Sequence, residues 1–162
     1  MARDQPAYET VRESVLDRLL DDDPDHTRDP PVTREEALRR VLQAVRRDLE
    51  WLLGTRLTWV DEALLGAEHA SRSVATFGLQ DFSHENVGNT DAQQRLKRAI
   101  EKAIAIFEPR LTQVVVTPEG SDPKQRAVRF RIDAVLQVEP IREPVTFDTV
   151  MELNGQTEVR EA

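Results

Sequence analysis

No cysteine occurs among the 162 residues. That removes disulfides, thiolate metal sites and a cysteine nucleophile together, and it suits a reducing compartment. Positive charge is in short supply: 22 Lys and Arg stand against 30 Asp and Glu, a net charge of −8. Binding along a nucleic-acid backbone needs a basic footprint, so general nucleic-acid binding is excluded. Aromatic residues make up only 5 %, so any core must be built largely from aliphatic side chains. No run approaches the ~20 apolar residues of a membrane span. The start, Met-Ala-Arg-Asp-Gln-Pro, lacks the apolar core of a signal peptide, so a cytoplasmic chain is expected. Gly-rich phosphate loops are missing as well. His26, His69 and His84 are isolated, and neither a zinc-protease nor a calcium-loop spacing occurs. No metal and no cofactor are expected.

What is present fits one domain of ordinary size preceded by a short arm. Residues 9–20 carry Val11, Val15, Leu16, Leu19 and Leu20 at helical spacing. Asp21, Asp22, Asp23 and Asp25 follow, where carboxylates oppose the helix dipole. Pro24, Pro30 and Pro31 keep the chain extended to Val32. Residues 1–32 thus read as a helix on an acidic, proline-rich linker, and 33–162 as a single domain. The acidic run would attract a hard cation weakly, but a solvated linker is its ordinary use.

The clearest element begins at Thr33. Glu36 stands three residues on and completes a capping box. Leu38, Val41, Leu42, Val45, Leu49, Leu52 and Leu53 share one helix face, and Gly54 is placed to close it in a left-handed conformation. Arg39, Arg40, Arg46, Arg47 and Glu50 occupy the other face. Such a basic face is ordinarily solvated, and its best functional use is a partner contact. Residues 55–89 are irregular, with Leu57, Trp59, Leu64 and Leu65 not cleanly periodic. One or two helical turns are expected over 73–79, ended by Gly78, with a turn at 81–83.

A third helix is expected over 91–107, with Leu96, Ala99, Ile100, Ala103, Ile104 and Phe107 as its stripe. It stops at Glu108-Pro109-Arg110, because the residue before a proline is pushed out of the α region. The period then becomes two. Strands are expected over 111–117, 127–138 and 145–153, separated by turns at 119–123 and 140–144, and Asn154-Gly155 marks another turn. Helices followed by a three-stranded antiparallel meander define an α+β fold.

Four segments, taken in order, resemble the TssE family, the type VI secretion counterpart of the baseplate wedge subunit of contractile-tailed phages. They are Ser14-Val15-Leu16-Asp17-Arg18-Leu19, then Arg47 to Arg56, then Ser73-Val74 with Phe77 to Ser83, and finally Ile104 to Leu111, which contains Glu108-Pro109-Arg110. The resemblance spans roughly residues 8–154. Its one departure is Gly54, where the family more often has Asn. It implies a non-catalytic role in a contractile injection system. Glu108, Pro109 and Arg110 would dock on the TssF and TssG wedge subunits. The meander, similar to the strand-exchange module of sheath proteins, would seed the TssB–TssC sheath.

The residues alone leave alternatives open. Glu108 and Arg110, two apart in an extended turn, point to one side, where they can bind a partner or simply each other. The strand edges can accept another chain, or Arg129, Arg131, Glu139 and Glu143 can guard them by charge. Phage relatives have also carried a lysozyme label. Glycosidase chemistry needs two carboxyls about 5–10 Å apart, one of them kept protonated. Glu108 is the only candidate acid, Asp81, Glu85 and Asp91 are unassigned partners, and a neighbouring arginine favours an ionised carboxylate. A peptidoglycan-cleaving hydrolase is therefore the lesser reading.

Overall fold

The computed structural model describes residues 14–19, 33–57, 67–85, 89–122, 127–139, 141–152 and 156–162. A short helix α1 (Val15–Leu19) precedes the long α2 (Arg34–Gly54), the two-residue strand β1 (Arg56–Leu57), two 3-10 turns (Ala70–Arg72 and Val74–Thr76) and β2 (Leu79–Gln80). Helix α3 (Thr90–Phe107) leads into β3 (Leu111–Asp122), β4 (Ala127–Val138), β5 (Ile141–Glu152) and β6 (Thr157–Glu161). The acidic run at 21–25, His26, Trp59, Leu64, Leu65, Leu153 and the Asn154-Gly155 turn lie outside the described residues.

Helix α2 begins as its sequence dictates. The Thr33 hydroxyl accepts from the Glu36 amide at 3.3 Å, and a Glu36 oxygen accepts from the Thr33 amide at 3.0 Å. Two orphan N–H groups are thereby satisfied reciprocally. Val41, Ala44, Val45, Leu49, Leu52 and Leu53 are buried. The far end differs from expectation. Gly54 stays within the helix, and Thr55 leaves it in an extended conformation, φ −79° and ψ 129°. The chain runs straight into β1 without reversing, so no left-handed residue is required there.

The left-handed glycine stands at Gly78 instead, with φ +109°. β1 and β2 pair in parallel, Arg56 with Leu79 and Leu57 with Gln80, and the Leu79 amide donates to the Thr55 carbonyl at 2.9 Å. A Cβ on Gly78 would lie 2.5 Å from that same carbonyl oxygen. Only glycine fits so close to backbone.

The main sheet has four antiparallel strands in the order β3-β4-β5-β6, one more than the meander read from the pattern. Two turns are also displaced from where composition puts them. β3 continues through Glu119 and Gly120 to pair Asp122 with Ala127, with register shifts between Thr112 and Val115 and between Pro118 and Gly120. β5 starts at Ile141 and includes Pro144, which faces Val135. β6 pairs only with Phe147 to Met151, so Pro144 lies past its end and interrupts no ladder there. On β4, Val128, Phe130, Ile132, Ala134, Leu136 and Val138 are buried, as their alternation predicts. Arg129 and Arg131 lie on β4, an interior strand, so they guard no edge.

Helix α3 packs beside β3, and α2 against β5 and β6, with the core between helices and sheet. Each edge strand is gripped by a helix carboxylate. Glu101 of α3 accepts from the Val116 amide at 3.0 Å, and Glu50 of α2 accepts from the Val159 amide at 3.2 Å.

Candidate functional site

Helix α3 ends because Pro109 excludes the α conformation from the residue before it. Glu108 accordingly adopts φ −124° and ψ 73°, while its amide still donates to the Ile104 carbonyl. The Leu111 amide then donates to the Glu108 carbonyl at 3.0 Å, and the Gln137 amide to the Arg110 carbonyl at 2.8 Å. These bonds hold the turn between helix and sheet. Glu108 and Arg110 fall on one side of it and meet. Arg110 Nε donates to Glu108 Oε1 at 2.6 Å and Arg110 Nη2 to Glu108 Oε2 at 2.5 Å, a bidentate charge-assisted pair.

The pair is one end of a larger network. Arg110 Nη2 also donates to Asp48 Oδ2 on α2 at 2.5 Å. Asp48 Oδ1 accepts from Arg47 Nε at 3.0 Å and Nη2 at 2.9 Å. Arg47 Nη2 reaches Asp17 Oδ1 on α1 at 2.8 Å. Asp17 Oδ2 accepts from the Ser14 hydroxyl at 2.6 Å and lies 4.0 Å from Arg110 Nη1. Three carboxylates against two guanidiniums leave one net negative charge, spread over five side chains from three parts of the chain.

Burial alone would weaken the charge on Arg110, but Glu108 first and Asp48 next outweigh it and raise the guanidinium's pKa further. Hydrogen bonding to Asp17 raises that of Arg47 against the opposing effect of burial, and Asp48 adds to it. Burial also pushes Asp17 up, but Ser14, Arg47 and Arg110 together hold it below the ordinary aspartate value of 3.8. The arrangement clamps charges in place. Both oxygens of Glu108 accept from Arg110, which is how an ionised carboxylate is held, whereas a general acid must offer a proton.

The sequence-predicted site residues are placed differently from one another. Glu108 is buried, its side chain 5 % exposed, and it faces inward to Arg110 rather than outward to a partner. Arg110 is 20 % exposed, and Pro109 is exposed. Trp51, 59 % exposed, sits one helical turn beyond Arg47, whose guanidinium lies 5.6 Å from its ring centroid. The 77–83 segment joins the same region through Phe77, which meets Phe107 edge-on at 5.2 Å, and through Asp81, which pairs with Arg56 at 3.2 Å. Four segments far apart in sequence are thus tied together around one turn.

Asp17 and Asp48 carried no assigned role from sequence reasoning, and Arg47, read there as part of a solvated or partner-binding basic face, is drawn into this network instead. A signal for Asp48 existed. At 100° per residue it falls inside the apolar stripe, between Ala44, Val41 and Leu52, and an acid there implies a cation brought by another element. Asp81 and Glu85, weighed as catalytic partners, pair with Arg56 and Arg95 instead. Among the described residues no group of His, Asp and Glu is arranged to hold a metal ion. His69 and His84 are exposed. No helix among those residues is long and apolar enough to cross a membrane.

No curated protein matches the chain. A protein-family model does match, the one described as baseplate wedge protein gp25, over residues 39–141. The matched stretch runs from the first turns of α2 to the first residue of β5, covers well over half of the chain, and includes Arg47, Asp48, Glu108 and Arg110. Most of α2, all of α3, the locked turn between α3 and β3, and strands β3 and β4 lie in it, and the chain belongs to the family of baseplate wedge protein gp25, a family of baseplate structural proteins.

Proposed function

We propose that this chain is a structural subunit of a type VI secretion baseplate, which docks on the TssF–TssG wedge through the 108–110 turn and initiates assembly of the TssB–TssC sheath in the cytoplasm. The observation that carries the docking role is the convergence of the four family-like segments on Glu108-Pro109-Arg110. Five charged side chains fix the turn, which is more than a helix stop requires. Within the turn the roles divide. Glu108 and Asp48 hold Arg110, while Pro109 and the outer part of Arg110 present a rigid surface beside the exposed Trp51. A preorganised, Arg- and Trp-bearing patch is the kind that carries binding energy in protein interfaces. Sheath initiation would use the edges of the four-stranded sheet, where another strand can pair.

The test is co-purification with TssF and TssG. The native chain is expected to be captured, and the Glu108→Ala, Arg110→Ala double variant to be lost from the complex while still folded by circular dichroism. An intact complex with that variant overturns the docking role. Peptidoglycan cleavage by the purified native chain that vanishes in Glu108→Gln would overturn the structural assignment in favour of a hydrolase.

A further inference from the structure

An open cleft of about 560 Å³ lies between the outer face of α2 and the end of β6. It is locally basic in an acidic chain. Arg39, Arg40 and Arg46 line it from α2 and Arg160 from β6, against two acids, Glu36 and Glu161. Four positive charges less two negative leave +2 in the cleft, in a chain whose net charge is −8. The negative charge of Glu36 is further engaged, because its carboxylate accepts from both the amide and the hydroxyl of Thr33. Arg160 is held by Glu158 at 2.6 Å. Arg39 and Arg46 are exposed, and among the described residues neither forms an ion pair. Half-buried Leu42 adds an apolar patch to the lining.

We infer that this cleft is a binding site for a carboxylate-rich peptide segment of a partner protein. Arg39 and Arg46 are seven residues apart, so they stand about 10 Å apart along the helix axis. That distance matches two acids three residues apart in a polyproline II segment, whose three residues per turn bring them to one side about 9 Å apart. Guanidiniums are weakly hydrated and offer a planar fork of donors, so they suit carboxylates at an interface. A long nucleic-acid polyanion fits less well. Such a polyanion needs a basic footprint longer than one cleft, in a chain whose net charge is −8. The apolar patch at Leu42 suits an apolar side chain between acids better than a sugar–phosphate backbone. This site does not depend on the docking turn. Asp48, which grips Arg110, is nine residues from Arg39 and so lies about half a turn round the helix, on its opposite side.

Fluorescence anisotropy of labelled hexaglutamate on the full chain tests it. Binding is expected at low salt, weakening as salt rises. The Arg39→Glu, Arg46→Glu double variant is expected to bind at least about tenfold more weakly. A matched reversal on α3, Arg98→Glu with Lys102→Glu, changes the net charge equally and is expected to leave binding within about twofold. Both pairs are exposed, so the fold is retained and checked by circular dichroism. The inference is overturned by no binding of hexaglutamate, by equal loss in both double variants, or by an oligothymidylate binding more tightly than hexaglutamate through Arg39 and Arg46.

Discussion

Glu108 is the one charged side chain among the described residues that is buried, and Arg110 supplies the donors to both its oxygens. Removing one partner of such a pair leaves a charge in a poorly solvated place, at a cost of about 3–5 kcal/mol. Arg110→Ala is therefore expected to lower unfolding stability in urea by that order. Adding Glu108→Ala to it is expected to recover part of the loss, because the orphaned carboxylate is gone. Simple additivity of the two single losses would show that the pair is not coupled. Asp17 predicts a pH dependence. Its folded pKa lies below the unfolded value, so its contribution is full above about pH 4–5 and is lost as pH falls below 3.8 through the folded value. Acidification through that range is expected to release α1 from α2, read as faster amide exchange at residues 15–19. Asp17→Asn is expected to make exchange there fast already at neutral pH and to flatten its acid dependence. An unchanged profile in Asp17→Asn would assign the anchoring to other contacts. At this scale the sequence was partly legible. The geometry that puts Glu108 and Arg110 on one side of a turn follows from their spacing. The links from Arg110 to Asp48 across 62 residues and from Arg47 to Asp17 across 30 do not, because helical period says which face a residue occupies and not which residue another element sets against it.

At the scale of elements, the join between α2 and β2 depends on Gly78. Its positive φ and the 2.5 Å approach of a virtual Cβ to the Thr55 carbonyl oxygen act together, since backbone oxygen cannot move aside as a side-chain tip can. Gly78→Ala is expected to cost on the order of 1–3 kcal/mol in chemical unfolding. Gly120→Ala is expected to cost less, because φ is also positive there but nothing lies within 4 Å. Equal losses would mean that conformation, not crowding, sets the penalty. The elements best read from sequence were those with long periodic runs and local caps: α2 with its Thr33–Glu36 box, α3 up to Pro109, and the alternating β4. Gly54 misled because a glycine at a helix end usually reverses the chain, and here the chain goes straight on. The fourth strand was missed because β6 is five residues long and its one buried apolar residue is Val159. One apolar position sets no period. Pro144 looked like a turn because proline breaks central ladders, yet it stands where β6 has already ended.

Across the whole molecule, the four-stranded sheet leaves two edges, β3 and β6, and each meets a different helix. Glu101 on α3 and Glu50 on α2 accept from the edge amides of Val116 and Val159. An edge N–H with no acceptor invites another strand, so these carboxylates both satisfy the donor and occupy the ladder position a foreign strand would need. Bonds of this kind, with a charged acceptor, contribute about 1.5–3 kcal/mol each. That is enough to disfavour casual pairing, yet an extensive interface can displace it. Two consequences are expected of the Glu50→Ala, Glu101→Ala variant. Native-state hydrogen exchange at the Val116 and Val159 amides should accelerate about tenfold or more, while amides inside the β4–β5 ladder stay protected, because only edge donors lose their acceptor. Sedimentation should also show concentration-dependent self-association absent from the native chain. Faster exchange throughout the sheet would mean that the glutamates support the whole fold instead. Unchanged exchange at both amides would show that the edges are closed by something other than these two side chains. If the local pattern holds, the helices do more than cover the core: each keeps one edge of the sheet closed until a partner displaces it.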